Sequence, residues 1–229
     1  MRSFETVDKR PLYSRVAETI IEYIRENEMQ PGEELPSEGE LCEKAGVSRV
    51  VVRGALGQLA GAGLIQVSNG RRPRVGELNS NVLSLSVQHG LATTQLTVQK
   101  IMEVREGVEV AASKLAALRR TDAQAEVLAG LCREMEAVGV ESLEFVELDF
   151  QFHLAIAQAT DNPLYIYIVK PLRETIKKSI EIGRLRQRSP AEIARINDQH
   201  WEIQRAITSR DGERAANAML IHLETAAKA

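Results

Sequence analysis

The sequence holds only two cysteines in 229 residues, Cys42 and Cys132, ninety positions apart. That count excludes a disulfide framework or a zinc-knuckle spacing and fits a reducing compartment. Long apolar runs are missing as well. None approaches the ~20 residues that cross a bilayer, and Met1-Arg2-Ser3-Phe4-Glu5 lacks the apolar stretch of a secretory signal. The expectation is a soluble, cytoplasmic protein. Nor is there a surplus of positive charge. The formal net charge is −3; residues 1–75 carry eleven basic and eleven acidic side chains, the remainder eighteen and twenty-one. General polycation binding is excluded, so any nucleic-acid footprint must be local.

One stretch does concentrate positive charge. Between Gly46 and Gly76 lie five arginines and no acid. Within it, Ser48 reads as an N-cap, and Val52, Leu56 and Leu59 at i, i+4 and i+7 as the buried face of a helix. Arg49 and Arg53, one turn apart, share the opposite side near the helix start, where a recognition helix in the major groove meets base edges and phosphates. The arginine fork suits both. Upstream, Val16, Ile20 and Ile24 give residues 12–27 an amphipathic stripe, which Pro31-Gly32 is expected to end. Ser37 with Glu40 predicts a capping box for a short helix that Gly46 terminates. Downstream, Leu64-Ile65-Gln66-Val67, the turn dipeptide Asn69-Gly70 and Arg71-Arg72-Pro73-Arg74-Val75 read as two short strands about a basic tip, a wing. Winged helices also serve as protein-interaction modules, but turn spacing, arginine pair and basic wing together favour DNA.

Residues 76–93 have weak periodicity and read as a linker with a short helix; His89 falls there. From 94 to 229 the pattern is a succession of helices with no strand signal, hence an antiparallel bundle. Ile101, Val104, Val108, Ala111 and Leu115 make one stripe. Thr121 with Gln124 caps a second helix carrying Val127, Leu131 and Met135. A third spans about 141–160. Asn162-Pro163 opens a fourth, with Pro171 expected to kink it; Ser189-Pro190-Ala191-Glu192 starts the next, and Asp211 caps the last. The basic groups Arg119-Arg120, Lys177-Lys178 and Arg184 to Arg188 read as solvated helix faces.

Helical phasing puts polar groups where this bundle should be apolar. In the third of these helices the stripe is Leu143, Val146, Phe150, Leu154 and Ala157, and Asp149 and His153 project along the same side. His200 stands between Ile196 and Ile203 in the stripe begun by Ile193 and continued by Ile207, and His222 interrupts Ala215, Met219 and Ala226. A buried carboxylate is costly unless paired or bound to a cation, and neutral imidazoles beside it make a natural divalent-metal site. The alternative is three core histidines, each separately hydrogen-bonded. Arg105 borders the neighbouring stripe; it either aims its fork at an effector carboxylate or pairs with Glu109 on the same helix.

The order Pro31-Gly32, Leu35-Pro36-Ser37-Glu38, Gly46-Val47-Ser48-Arg49, Val52-Arg53, Ala55-Leu56, Leu59 and Gly63-Leu64 resembles the DNA-binding domain of GntR-family transcription regulators. Gly39 stands where that family commonly has arginine, and Val50-Val51 where it has Thr-Pro, departures that bear on operator preference. Glu147-Leu148-Asp149-Phe150-Gln151-Phe152-His153, Asp198-Gln199-His200 and Ile221-His222 resemble the FadR-like branch, whose all-helical effector domain is known as FCD. The resemblance implies operator contacts from Arg49, Arg53, Gly70 and Arg71, with Ser37, Ser48, Val50 and Arg72 in the same candidate set. It also implies a metal (zinc, nickel or manganese) held by Asp149, His153, His200 and His222, where a small organic or sugar acid binds.

The sequence is therefore expected to encode a mainly α protein: a winged helix-turn-helix with a small β wing over 1–75, a linker and short helix over 76–93, and a helical metal- and effector-binding bundle over 94–229. The expected function is a homodimeric, operator-binding transcription regulator, by resemblance a repressor, that answers to a small carboxylate and is not an enzyme. The alternative is a metalloenzyme in which the Asp/His centre activates water.

Overall fold

The computed structural model describes residues 10–140, 142–182 and 190–227, with side-chain surroundings unassigned for 178–182, 190 and 193. Expectations on Met1 to Glu5, the residue 141 helix start, Lys178, Arg184 to Arg188, the Ser189 cap and the Ile193 side chain lie outside what is described. Two units are distinguished, residues 1–82 and 83–229.

The first unit begins with α1 (Leu12–Glu26), α2 (Glu38–Ala45) and α3 (Arg49–Gly61), followed by β1 (Ile65–Gln66) and β2 (Arg74–Val75). The strands pair antiparallel, Ile65 with Val75 and Gln66 with Arg74. Ser37 closes the expected capping box: its side chain accepts from the Glu40 amide at 3.3 Å, and the Glu40 carboxylate accepts from the Ser37 amide at 2.7 Å. Gly46 ends α2 at φ 64°, a left-handed conformation that glycine adopts without strain and that makes the tight turn into α3. Val16, Ala17 and Ile20 of α1, Leu35, and Val52, Leu56 and Leu59 of α3 form the core, sealed by Ile65 and Val75. Each such large side chain contributes about 2 kcal/mol by leaving water.

Two expectations here need correction. The Pro31-Gly32 pair does not end α1. The helix stops at Glu26, with Glu28 left-handed at φ 50° and the Met29 amide donating to Ile24 O at 3.0 Å; this six-to-one closure also packs Met29 and Ile24 together on the core. Ser48 does occupy the N-cap position of α3, but its side chain makes no capping hydrogen bond.

The second unit contains α4 (Asn81–Ala92), α5 (Val98–Arg119), α6 (Asp122–Val138), α7 (Leu143–Ala159), α8 (Pro163–Ile182), α9 (Pro190–Thr208) and α10 (Gly212–Ala227). Helix α4, which carries His89, packs Val87 against Ile101 of α5 and Leu172 of α8. The Thr121–Gln124 box and the Asn162 and Asp211 caps form as expected. Pro171 lies inside α8.

Within the main core, α10 packs on α5 and α9, and α7 on α5, α6 and α8. Alanines make the first contact close: Ala112, Ala116 and Ala117 on α5 meet a helix that buries Ala215 and Ala218. A Cβ at Gly212 would lie 3.2 Å from Lys114 O, so the α10 start also depends on a small residue.

Several stripes depart in part from expectation, although Ile101, Met135, Val146, Phe150, Ala157, Ala215 and Met219 are buried as expected. On α5 the inward residues are Ile101, Arg105, Glu109, Ala112 and Ala116, while Val104 is exposed. A purely apolar stripe misplaces this face because two charges are buried together on it. On α6 the inner face is Ala125, Leu128, Cys132 and Met135, with Val127 outside. On α7 Leu143 is exposed and Phe145 and Phe152 are buried, and on α10 Ala226 is exposed. Arg120 is not a solvated cation: it is buried and donates to Thr208 O and Asp122. Lys177 is half-buried and pairs with Glu147.

Burial pushes the Cys132 thiol up to about 12, with nearby Glu136 acting in the same sense, whereas Cys42 is half-buried. A disulfide-exchange reagent at pH 8 should modify Cys42 in the native protein and reach Cys132 only after unfolding. Equal labelling rates in native protein, read by mass spectrometry, would contradict this packing.

Candidate functional site

The first unit presents a positive face. Val52, Ala55, Leu56 and Leu59 anchor α3 inward, which leaves Arg49, Val50 and Arg53 outward, Val50 at 81% exposure. Gly70 at φ 70° turns the wing, and Arg71 and Arg72 stand exposed beside it. The run of arginines without acids is a property of the linear sequence only. In space, the start of α2 supplies the counter-charges: Arg53 Nε donates to Glu38 at 3.0 Å, and both Arg72 amino groups reach the Glu40 carboxylate at 3.0 and 3.1 Å. Arg74 pairs with Glu34 at 2.6 Å. Glu40 is pulled down to about 2 by its hydrogen bonds to Ser37 and by Arg72, so the pair stays ionised throughout the neutral range. Among the described residues, Arg49 and Arg71 have no such partner.

The second unit brings together the four residues expected to share an ion. One donor atom each from Asp149 and His153 of α7, His200 of α9 and His222 of α10 falls within 4.8 Å of the others. The three imidazoles are buried, and the Asp149 side chain is 24% exposed, at the edge of the core rather than within it. Phe152 walls the cluster edge-on, with ring centroids 5.8 Å from His153 and 5.2 Å from His200.

The neighbours of each ring nitrogen indicate where the protons sit. His200 Nδ1 lies 2.9 Å from Ile196 O, which can only accept, so Nδ1 carries the proton. In the neutral ring Nε2 then turns a lone pair on Asp149 Oδ1 at 3.0 Å. His153 Nδ1 lies 2.5 Å from the Glu109 carboxylate, which likewise places its proton there and leaves Nε2 facing His222 Nε2 at 3.3 Å and Asp149 Oδ1 at 3.7 Å. His222 is held neutral, its pKa pushed well down by burial and by the neighbouring His200 and His153. With His153 and His200 protonated on Nδ1, their Nε2 lone pairs and Asp149 Oδ1 face one another with at most the single His222 proton among them, an arrangement that a cation at the centre would satisfy. Imidazole nitrogens with one carboxylate fit a divalent transition metal, and the donor set accepts zinc, nickel or manganese.

Glu109, which sequence reasoning weighed only as a partner for Arg105, is the group it undervalued. It is 2% exposed, accepts from Arg105 Nε at 2.5 Å, and accepts from Arg173 at 3.3 Å. Burial alone would raise its carboxyl, but Arg105, His153 and Arg173 more than offset that and hold it well below the usual carboxylate range. Arg173 of α8 also donates to Asp149 Oδ2. Arg105, 4% exposed, is therefore inside the cluster, behind Glu109. The i, i+4, i+8 spacing of Ile101, Arg105 and Glu109 held the available signal; Arg173, two residues after Pro171, gave none. Beside Asp149 a small, partly open indentation is lined by Val146, Phe150, Arg173, Ile176 and Lys177.

Both halves of this arrangement match known families. Residues 12–75 match the gntR family of bacterial regulatory proteins, and residues 100–225 match the FCD domain. The chain is a GntR-family transcription regulator. Its relatives include the Glc operon transcriptional activator of Escherichia coli, 32% identical over 228 residues that cover 96% of this chain and 89% of that one. LutR of Bacillus subtilis is 30% identical over 204 residues, covering 87% and 92%, and the repressor NanR of Salmonella newport is 30% identical over 228 residues, covering 95% and 84%. A GntR protein of Streptococcus agalactiae shares the fold, with TM-score 0.68 and 24% identity over 95% of this chain and all of that one. These relatives regulate transcription, which sets the metalloenzyme alternative aside and makes operator DNA the partner of this regulator. Among the described residues no helix is long and apolar enough to cross a membrane.

Arg173 is the cation shared by two acids of the buried network, and removing one partner from such a network costs about 3 kcal/mol or more. Arg173→Met should therefore lower the denaturant midpoint of the second unit. An unchanged midpoint would show that Asp149 and Glu109 are satisfied without it.

Proposed function

We propose that this regulator is a metabolite-responsive repressor of the cytoplasm, a homodimer that grips a pseudo-palindromic operator with two winged heads and is released by a small organic or sugar acid. One observation carries the proposal: the convergence of proton-poor donors from Asp149, His153, His200 and His222 beside a pocket bordered by Arg173 and Lys177. A divalent ion held by those four side chains would supply a Lewis-acid anchor for a carboxylate. Arg173 lines the same pocket with its amino groups held by Glu109 and Asp149, and Arg105 acts through Glu109, whose charge it shares with Arg173. The sign of regulation follows NanR, named a repressor, although the Glc operon relative is named an activator.

On the DNA side, Arg49, Val50 and Arg53 of α3 and Gly70, Arg71 and Arg72 of the wing form the reading surface, flanked by Ser37 and Ser48 at two helix starts. Ser48 makes no capping bond, which leaves its hydroxyl available to a phosphate. Arg49→Ala and Arg53→Ala should each weaken operator binding by about 1–3 kcal/mol without unfolding the protein. Affinity and sequence preference unchanged in a gel-shift titration at fixed salt would sink this assignment.

The effector side is tested by a thermal-shift screen of hydroxy, keto and sugar acids, with metal retained and after chelation. A ligand at ~100 times its dissociation constant stabilises a protein by about 2.7 kcal/mol when it binds only the folded state. One acid should raise the melting temperature of the metal-loaded protein and lose that effect on chelation. A screen in which no acid acts in either state would overturn the proposal.

A further inference from the structure

We infer that Glu109 is the positioning residue of the four-donor cluster: its carboxylate fixes the proton-bearing side of His153, turning Nε2 to the other donors, and pins Arg173 where it reaches Asp149. The inference rests on the metal-centre reading proposed above.

An imidazole has two nitrogens, and only the unprotonated one can ligate. Glu109 Oε2 lies 2.5 Å from His153 Nδ1, on the far side of the ring from the cluster. It therefore decides which nitrogen keeps the proton, and its negative charge raises the basicity of the other. The same oxygen is 3.3 Å from an Arg173 amino group, and the other amino group of Arg173 donates to Asp149 Oδ2. One carboxylate on α5 thus orients two donors of α7, one directly and one through an arginine of α8. Asp149 keeps Oδ1 turned to His200 and His153 because Oδ2 is engaged.

Glu109 itself is not one of the donors that converge. Its second oxygen is committed to Arg105, so both are used away from the cluster. His222 Nδ1 is buried and has no carboxylate beside it among the described residues, and His200 is oriented by the Ile196 carbonyl of its own helix, whereas the Glu109 carboxylate lies against His153 Nδ1. His153 is the donor whose orientation depends on a charged group from another element.

A plain structural role, balancing two buried arginines, would affect folding but not the affinity of the folded protein for metal. The test uses the full chain as wild type, Glu109→Gln, and Glu109→Leu/Arg105→Leu, the last keeping the buried charge balanced if the single variant does not fold. Far-UV circular dichroism establishes folding, zinc affinity is read by competition with a chromophoric chelator, and the visible absorption of bound cobalt reports donor geometry. Folded variants should bind zinc about 10–100-fold more weakly and show a changed cobalt band. Zinc affinity within about threefold of wild type, with the cobalt band unchanged, would overturn the role of Glu109. A wild-type protein that takes up neither metal would overturn the metal-centre reading itself, a failure distinct from the first.

Discussion

The second unit depends on one constraint: a buried carboxylate cannot stay charged in an apolar interior unless cations meet it there. Glu109 is met by Arg105 on its own helix, by Arg173 from α8 and by the proton of His153 from α7. Those contacts fix the relative rotation of three helices. They also explain why the inward face of α5 departs from its apolar pattern and why Asp149 sits where α7 meets α8. The two carboxylates and two guanidiniums sum to zero charge, so the adjoining imidazoles stand next to a neutral assembly.

Much of the fold is legible in the sequence because its signals are local. The Ser37–Glu40 and Thr121–Gln124 boxes, the Gly46 turn, the Asn162 and Asp211 caps and the wing dipeptide each involve residues within a few positions of one another. Local chemistry fixes such features before tertiary packing can override it. The four-donor cluster was readable for a different reason: histidine and aspartate at positions where a stripe demands apolar groups advertise themselves.

The misread features are long-range. On α5, α6 and α7 the expected stripes hold at Ile101, Met135, Val146, Phe150 and Ala157 but miss at Val104, Val127 and Leu143, because leucines and valines were weighted above the charged pair and the phenylalanines that pack inward. Arg120 looked like a surface cation because its acceptor, the Thr208 carbonyl, is eighty-eight residues away. The acid-free run from Gly46 to Gly76 has the same limit, since Glu34, Glu38 and Glu40 lie outside it in sequence and against it in space.

Those acidic partners change what the first unit is mechanically. Arg72 is gripped through both amino groups by a carboxylate that is itself locked into the cap of α2. Order therefore passes from a helix start to the basic tip thirty-two residues on, across a gap that the two-residue strands of the wing would bridge only loosely. A serine that caps one helix turn also holds the carboxylate to which a wing arginine is tied. Ser37 and Glu40, more than thirty residues before the wing tip, thereby help to place one of its arginines.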